Sequence, residues 1–268
     1  MISLVVNSVG HYFDISGGKP QWILHNVYIE IPERKFVSII GPSGCGKSTL
    51  FNIIAGLIQP SVGTIDVNGK PVTGTNPSIA YMLQKDLLLD WRNVLDNVII
   101  GAEILGVPKE RARSEASEWL DRFGLRGFEN KYPYALSGGM RQRVALLRTL
   151  ITHREIMLLD EPFGSLDSQT RTMMQEFVLS LWGSLERTIL LITHDIEESL
   201  ILGDDVIIMT ARPMQVKKKM TVNLPRPRTL DVVRSREFFD AKAELMYLIH
   251  EESRKSLREE EQRMRAIG

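Results

Sequence analysis

Short runs rich in β-branched residues alternate with turn-forming residues over the first third of the chain. Residues 4–9, 27–31, 36–40, 64–67 and 79–83 have strand character, and Gly, Pro and the Asn68-Gly69 pair punctuate them. From 93 to about 128 the period lengthens. Val94, Val98 and Ile99 share one face and a charged stretch runs from Lys109 to Arg122, which predicts a helical insert in the sheet. Apolar runs return at 156–159, 188–193 and 206–209, each after a helical segment, the alternation of a parallel α/β sheet. Residues 212–228, rich in Pro, Lys and Arg, read as a surface connection or edge strand. Beyond them Phe238, Ala241, Leu245 and Leu248 mark an amphipathic helix that is almost wholly charged after Glu251. Glu251 with Lys255, Glu259 with Arg263 and Glu261 with Arg265 stand in the favourable i,i+4 order. A solvated terminal helix is the simplest expectation, and docking to a partner is the alternative. No internal repeat is visible.

Composition narrows the chemistry. At 268 residues, 43% hydrophobic and 25% charged, the chain is neither disordered, collagenous nor a coiled coil. Its 33 Lys+Arg balance 33 Asp+Glu, so no overall field attracts a nucleic-acid backbone, and any phosphate must be gripped by local donors. Cys45 is the one cysteine, which excludes an intrachain disulfide and a multi-cysteine zinc site and fits a reducing compartment. The first ten residues lack a basic leader with an apolar stretch, and no run approaches the roughly 20 apolar residues of a membrane span. The expectation is a chain that neither crosses a membrane nor is exported by a standard signal.

Gly41, Pro42, Ser43, Gly44, Cys45, Gly46, Lys47, Ser48 and Thr49 follow an apolar strand and precede a helical segment. In such a P-loop, glycines let successive N–H groups turn toward phosphate oxygens and the next helix offers its positive end. Lys47 adds a cation and Ser48 a hydroxyl for Mg²⁺. Cys45 reads as a small residue within the loop. Hydrolysis also needs a carboxylate for the metal and a group that orients water. Asp160, ending an apolar strand, suits the first role and its neighbour Glu161 the second.

Two further helix starts attract notice. His194 follows the strand at 188–193, at the carboxyl edge where α/β proteins keep ligands, and Asp195 with Glu198 resembles an N-cap with a carboxylate three residues on. Ser137, Gly138 and Gly139 open a long helix with a natural cap and exposed N–H groups, a second anion cradle remote in sequence from the first.

Taken in order, these elements resemble the nucleotide-binding subunit of an ABC transporter over roughly residues 1–225, with Ser137-Gly138-Gly139-Met140-Arg141-Gln142 as the signature. The resemblance implies an α/β fold: a P-loop NTPase (RecA-like) core, an N-terminal antiparallel β subdomain and a helical signature subdomain. The ATP-binding domain would span 1–225 with its helical insert at about 86–152, and a helical extension would span 226–268. Such subunits dimerise head to tail, homodimeric or with another ABC ATPase, so that ATP on one P-loop is covered by the partner's signature. Position by position, Phe13 matches the aromatic that stacks on adenine, with Tyr12 as the alternative. Gln84 matches the glutamine that touches Mg²⁺, Asp167 lies in the Ser165-Leu166-Asp167 loop crossing the dimer seam, and His194 matches the switch histidine. The usual alanine-rich stretch after the signature reads Ala145-Leu-Leu-Arg148-Thr-Leu150, a change expected to affect packing more than chemistry.

Leu87 to Val98 and Ala211-Arg212-Pro213 look like the nitrate, sulfonate and taurine class of bacterial importers, with Asp90 where a proline is common. That class implies integral membrane permease subunits, a solute-binding protein acting through them, and a peripheral location on the cytoplasmic face. Trp91 and its leucine neighbours would anchor a permease helix, burial in the core being the alternative. A soluble ABC ATPase acting on nucleic acid or translation, and a noncatalytic regulatory subunit, are the rivals. A GTPase is disfavoured because Asn130-Lys131-Tyr132-Pro133 lacks the final aspartate of a guanine-reading element.

Overall fold

The structure is a computed structural model that describes residues 1–14, 20–185, 187–226 and 228–267. Its two compact units are Met1–Asn76 with Trp182–Gly268, and Pro77–Leu181. The chain begins with β1 (Ile2–Phe13), β2 (Gln21–Pro32), β3 (Phe36–Ile40), α1 (Lys47–Ile54), β4 (Val62–Val67) and β5 (Lys70–Pro71). The second unit adds β6 (Ile79–Met82), α2 (Val94–Val98), α3 (Ile100–Ile104), α4 (Lys109–Arg122), α5 (Gly138–Leu150), β7 (Ile156–Asp160) and most of α6 (Ser168–Leu185). The first unit resumes with β8 (Thr188–Ile192), α7 (Ile196–Leu202), β9 (Asp205–Met209), β10 (Val216–Thr221) and α8 (Arg236–Ile267).

In the first unit, β1 and β2 pair antiparallel and bury alternate residues such as Leu4 and Val6 or Val27, Ile29 and Ile31, as half-buried strands must. Their sheet runs β2-β1-β4-β5, and the Asn68-Gly69 pair, both at positive φ, makes the hairpin between the last two. The other strands of this unit lie in the order β10-β9-β3-β8, with β3 parallel to both β8 and β9. Every residue of β3, β8 and β9 is buried, which explains their unbroken apolar runs.

In the second unit, β6 and β7 are parallel. The helical insert expected from 93 to about 128 holds α2, α3 and α4, and Gly106 (φ 74) with Pro108 separates the last two. Helix α4 buries only Ala112, Ala116 and Leu120 and leaves its charged face to solvent. Trp119, Phe123 and Phe177 pack edge to face or tilted beside it.

Residues 212–228 do contain an edge strand, β10, but they are not merely a surface connection. Arg228 is 6% exposed, and its guanidinium donates to the carbonyls of Leu200, Ile201, Gly203 and Val222. Burial lowers its pKa to about 10. Arg226 lies over the Trp182 ring at 4.4 Å and donates to Asp204 at 2.7 Å.

Helix α8 likewise departs from a simply solvated helix. Phe238 and Leu245 are buried against the first unit, and Lys242 reaches Glu197 at 2.5 Å. The expected Glu251–Lys255 pair forms at 3.1 Å, whereas the side chains of the other two predicted pairs lie outside the described residues. Glu252, one turn past Leu248, is buried: it accepts the Ala211 N–H at 3.0 Å and pairs with Lys217 at 2.7 Å and Lys255 at 2.9 Å.

Burial opposes ionisation of Glu252, but Lys217, Lys255 and the Ala211 N–H outweigh it and hold the carboxyl at about 2. An unfolded glutamate titrates near 4.3, so the stabilisation is complete above that value and drains away as pH falls toward 2. Glu252→Gln is therefore expected to lose on the order of 2 kcal/mol at neutral pH and to show a shallower acid-side decline. Urea unfolding across acidic and neutral pH measures this, and equal wild-type and variant midpoints throughout would contradict it.

Candidate functional site

The P-loop lies in the first unit, and its neighbours dictate its glycines. A Cβ on Gly41 would lie 3.0 Å from that of Met209, and Gly44 has φ 70. Gly46 has φ 126, and a Cβ there would come within 2.8 Å of Ile23 Cγ2. Helix α1 begins at Lys47 with neither a side-chain cap nor an acidic residue in its first turn, so its positive end is free of internal anions. The Lys47 ammonium is buried and donates to the Gly41 and Pro42 carbonyls at 2.9 Å each. Cys45 packs its sulfur 3.6 Å from that of Met214, and burial pushes its thiol pKa up against the opposing pull of Lys47 and Arg212. Ser43, Gly44 and Ser48 are exposed.

Register carries His194 to the same edge as this loop. Ile39 pairs with Ile192 and Ile40 with Ile208, so β3, β8 and β9 end together, and the Thr193 N–H donates to Ile39 O at 3.3 Å. His194 is exposed just beyond. Asp195 caps α7 by accepting the Glu198 N–H at 3.1 Å, as expected. Glu198, however, does not return the bond in capping-box fashion. Its carboxylate accepts the Thr193 hydroxyl at 2.6 Å, and that hydroxyl accepts the Asp195 N–H at 3.0 Å. Thr193 thus fixes both sides of His194. At the end of β1, Phe13 is 48% exposed with its ring edge-on to His11, while Tyr12 is edge-on to Trp22 at 5.1 Å.

The second unit gathers the acidic residues. β6 and β7 pair Met82 with Leu159, so Gln84 and Glu161 leave the same end of the pair, and Gln84 Nε2 donates to Glu161 Oε2 at 3.1 Å. Asp160 is 1% exposed, and Tyr81 titrates well above its ordinary range through burial and the Asp160 charge. Glu161 itself holds φ 49, a left-handed conformation that costs a non-glycine residue roughly 1 kcal/mol or more. Two bonds to its carbonyl secure that conformation: Gln142 Nε2 at 3.2 Å and the Gly164 N–H at 3.2 Å.

Ser137 caps α5 by accepting the Met140 N–H at 3.2 Å, and Gly138 stays open. A Cβ on Gly139 would press to 3.3 Å from Leu166, so the signature turn packs on the Ser165-Leu166-Asp167 loop. Asp167 accepts the Thr170 N–H at 3.0 Å, which caps α6 and lowers the carboxyl's pKa. Arg148 changes more than helix packing: it donates to Leu87 O at 2.8 Å and to Asp86 O, while Arg141 pairs with the Asp86 carboxylate at 3.0 Å. Arg141 and Arg148 of α5 therefore grip the segment after Gln84. Asn97, fully buried, bonds both the N–H and the carbonyl of Leu89. The loop it braces presents Trp91, which is 75% exposed rather than buried.

Asn97 and Thr193 carried no role of their own in the sequence, and Gln142 figured only as the last residue of the signature. Gln142 had one faint signal: it shares a helical face with Ala145, Leu146 and Thr149, a polar group at a core-facing phase. The first unit offers the exposed Ser48 hydroxyl to a divalent cation, and the second offers the Gln84 amide oxygen and the buried Asp160 carboxylate. Such oxygen donors suit Mg²⁺, which keeps several waters and substrate phosphate oxygens in place of a full protein cage.

A family model described as ABC transporter matches residues 24–164. An uncharacterized ABC transporter ATP-binding protein of Methanocaldococcus jannaschii is 39% identical over 257 residues, 96% of this chain and 95% of the relative. The taurine import ATP-binding protein TauB of Yersinia pestis is 44% identical over 206 residues, 77% of this chain and 80% of that protein. Among solved structures, the dimeric post-hydrolysis state of the ATP-binding cassette MJ0796 bound to ADP and Pi has a TM-score of 0.73 and 28% identity. It covers 82% of this chain and 99% of its own.

The glycine geometry is testable without any ligand. Gly46→Ala sets a Cβ against Ile23 at a φ that L-residues avoid, and is expected to destabilise the chain by about 2–4 kcal/mol in urea unfolding. A change within about 0.5 kcal/mol would contradict the tight seating of the loop.

Proposed function

The chain belongs to the ABC transporter family as an ATP-binding, ATP-hydrolysing subunit, and on that premise we propose that it drives an importer of the taurine, sulfonate and nitrate class. ATP would lie along the P-loop, its phosphates facing the N–H groups of Gly41 to Thr49 and the Lys47 ammonium, with adenine on Phe13. The greater exposure of Phe13 favours it over Tyr12 for that stacking. Ser48, Gln84 and Asp160 would hold Mg²⁺, which when bound offsets the charge of the phosphates. Glu161 takes a proton from the attacking water, and His194 contacts the γ-phosphate.

In a second copy of the chain, or another ABC subunit, Ser137, Gly138, Gly139 and Asp167 would close over the nucleotide. The open start of α5 supports that reading, since its N–H groups form an anion cradle. ATP then favours the closed dimer by binding it more tightly than the open one, and hydrolysis releases it. The braced, exposed Trp91 loop supports docking to an integral membrane permease, which would hold the subunit peripherally at the cytoplasmic face. No helix among the described residues is long and apolar enough to cross a membrane itself. A solute-binding protein would act through the permease, and the balanced charge favours no nucleic-acid partner.

The observation that carries the catalytic reading is the Glu161 carboxylate, fixed by the Gln84 side chain at 3.1 Å on a backbone bonded by Gln142. Glu161→Gln is expected to lower phosphate release by about 100-fold or more while leaving ATP bound, and Lys47→Ala to weaken binding itself. Near-normal turnover in both would defeat the mechanism. Trp91→Ala should retain turnover in the isolated chain but lose co-purification with multi-span permease subunits; undiminished recovery would count against the docking role.

A further inference from the structure

Ala211-Arg212-Pro213 has no part in the chemistry described so far, yet Arg212 touches the P-loop. Its Nε donates to Gly44 O at 3.1 Å, and its Nη2 donates to the same oxygen. A loop that binds phosphate through N–H groups must turn its carbonyl oxygens elsewhere, because an oxygen facing the phosphates repels them. Arg212 collects one such oxygen here, that of Gly44. A trans peptide points its C=O and N–H in opposite directions, so pinning the Gly44 carbonyl also aims the Cys45 N–H. That N–H lies on the side opposite Arg212, where it donates a long bond of 3.4 Å to Pro42 O that a phosphate oxygen would replace.

Arg212 is itself firmly placed. The preceding Ala211 N–H donates to buried Glu252 of α8 at 3.0 Å. On the other side Met214 exchanges backbone bonds with β2, donating to Ile23 O at 2.7 Å and accepting from His25 N at 3.0 Å. The Met214 sulfur lies against Cys45. The same stretch of β2 supplies Ile23, against which Gly46 is seated. Arg212 therefore reaches the loop from a short segment tied to both β2 and the C-terminal helix.

We propose that Arg212 is a positioning residue for nucleotide binding, holding the Gly44 carbonyl outward so that the Cys45 N–H is presented to phosphate, with Glu252 anchoring the segment that carries it. This rests on the P-loop being the nucleotide site. The test is titration of the full chain with ADP and Mg²⁺, comparing wild type, Arg212→Met and Arg212→Lys, with thermal unfolding of each nucleotide-free protein. Arg212→Met is expected to bind ADP about tenfold more weakly with its Tm within about 2 °C of wild type, and Arg212→Lys to recover part of the affinity through its single charged donor. In turnover assays KM for ATP should rise about tenfold while kcat falls far less. Wild-type affinity in Arg212→Met would overturn the inference, as would a loss that simply tracks a fall in Tm. Failure of the wild type to bind ADP would instead overturn the nucleotide reading of the loop.

Discussion

With 33 cationic and 33 anionic side chains, this chain has no general field with which to attract a triphosphate. Its phosphate affinity has to come from backbone N–H groups aimed at one point, and that requirement shapes the first unit. Three buried parallel strands stop at a common edge, glycines allow the connecting loop to turn where side chains would collide, and α1 starts without a cap or an acidic neighbour. The Arg212 side chain completes the arrangement by bonding the Gly44 carbonyl oxygen.

The acidic half of the chemistry follows a different logic. Glu161 sits in a left-handed conformation that its own side chain disfavours, and it remains there because Gln142 and Gly164 both bond its carbonyl. Gln142 belongs to the same helix that begins at the Ser137 cap, so one rigid element reaches from the signature to the residue proposed to activate water. Arg141 and Arg148 of that helix grip Asp86 and Leu87, next to the loop that presents Trp91. The signature opens the helix that also bonds Glu161, proposed to activate water, and the segment leading to the proposed permease contact, a physical route for coupling within this unit.

Much of this was legible in the sequence because it depends on local rules. The fully apolar strands, the glycine loop before α1, the Ser137 and Asp195 caps and the Asn68-Gly69 hairpin all follow from residue type and spacing alone. What was not legible depends on pairings between distant positions. Arg226 and Arg228 read as solvent-facing charges, yet carbonyls freed at the end of α7 and beyond it draw them inward. Glu252 lay within a run of charged residues, and nothing in that run distinguishes it from its solvated neighbours. Its partners, Ala211 and Lys217, come from the strand end and edge strand that α8 covers. Likewise Asn97 and Gln142 are ordinary amides until the loops they brace are in place.

The central claim is that two copies of this fold share one triphosphate, each supplying half of its surroundings. Light-scattering mass measurement of the Glu161→Gln protein, with and without ATP, tests it most directly. The account predicts a monomer without nucleotide and a dimer with ATP, and it predicts that Ser137→Arg at the signature cap abolishes the dimer while the ATP affinity of the monomer persists. A protein that stays monomeric when saturated with ATP would contradict it.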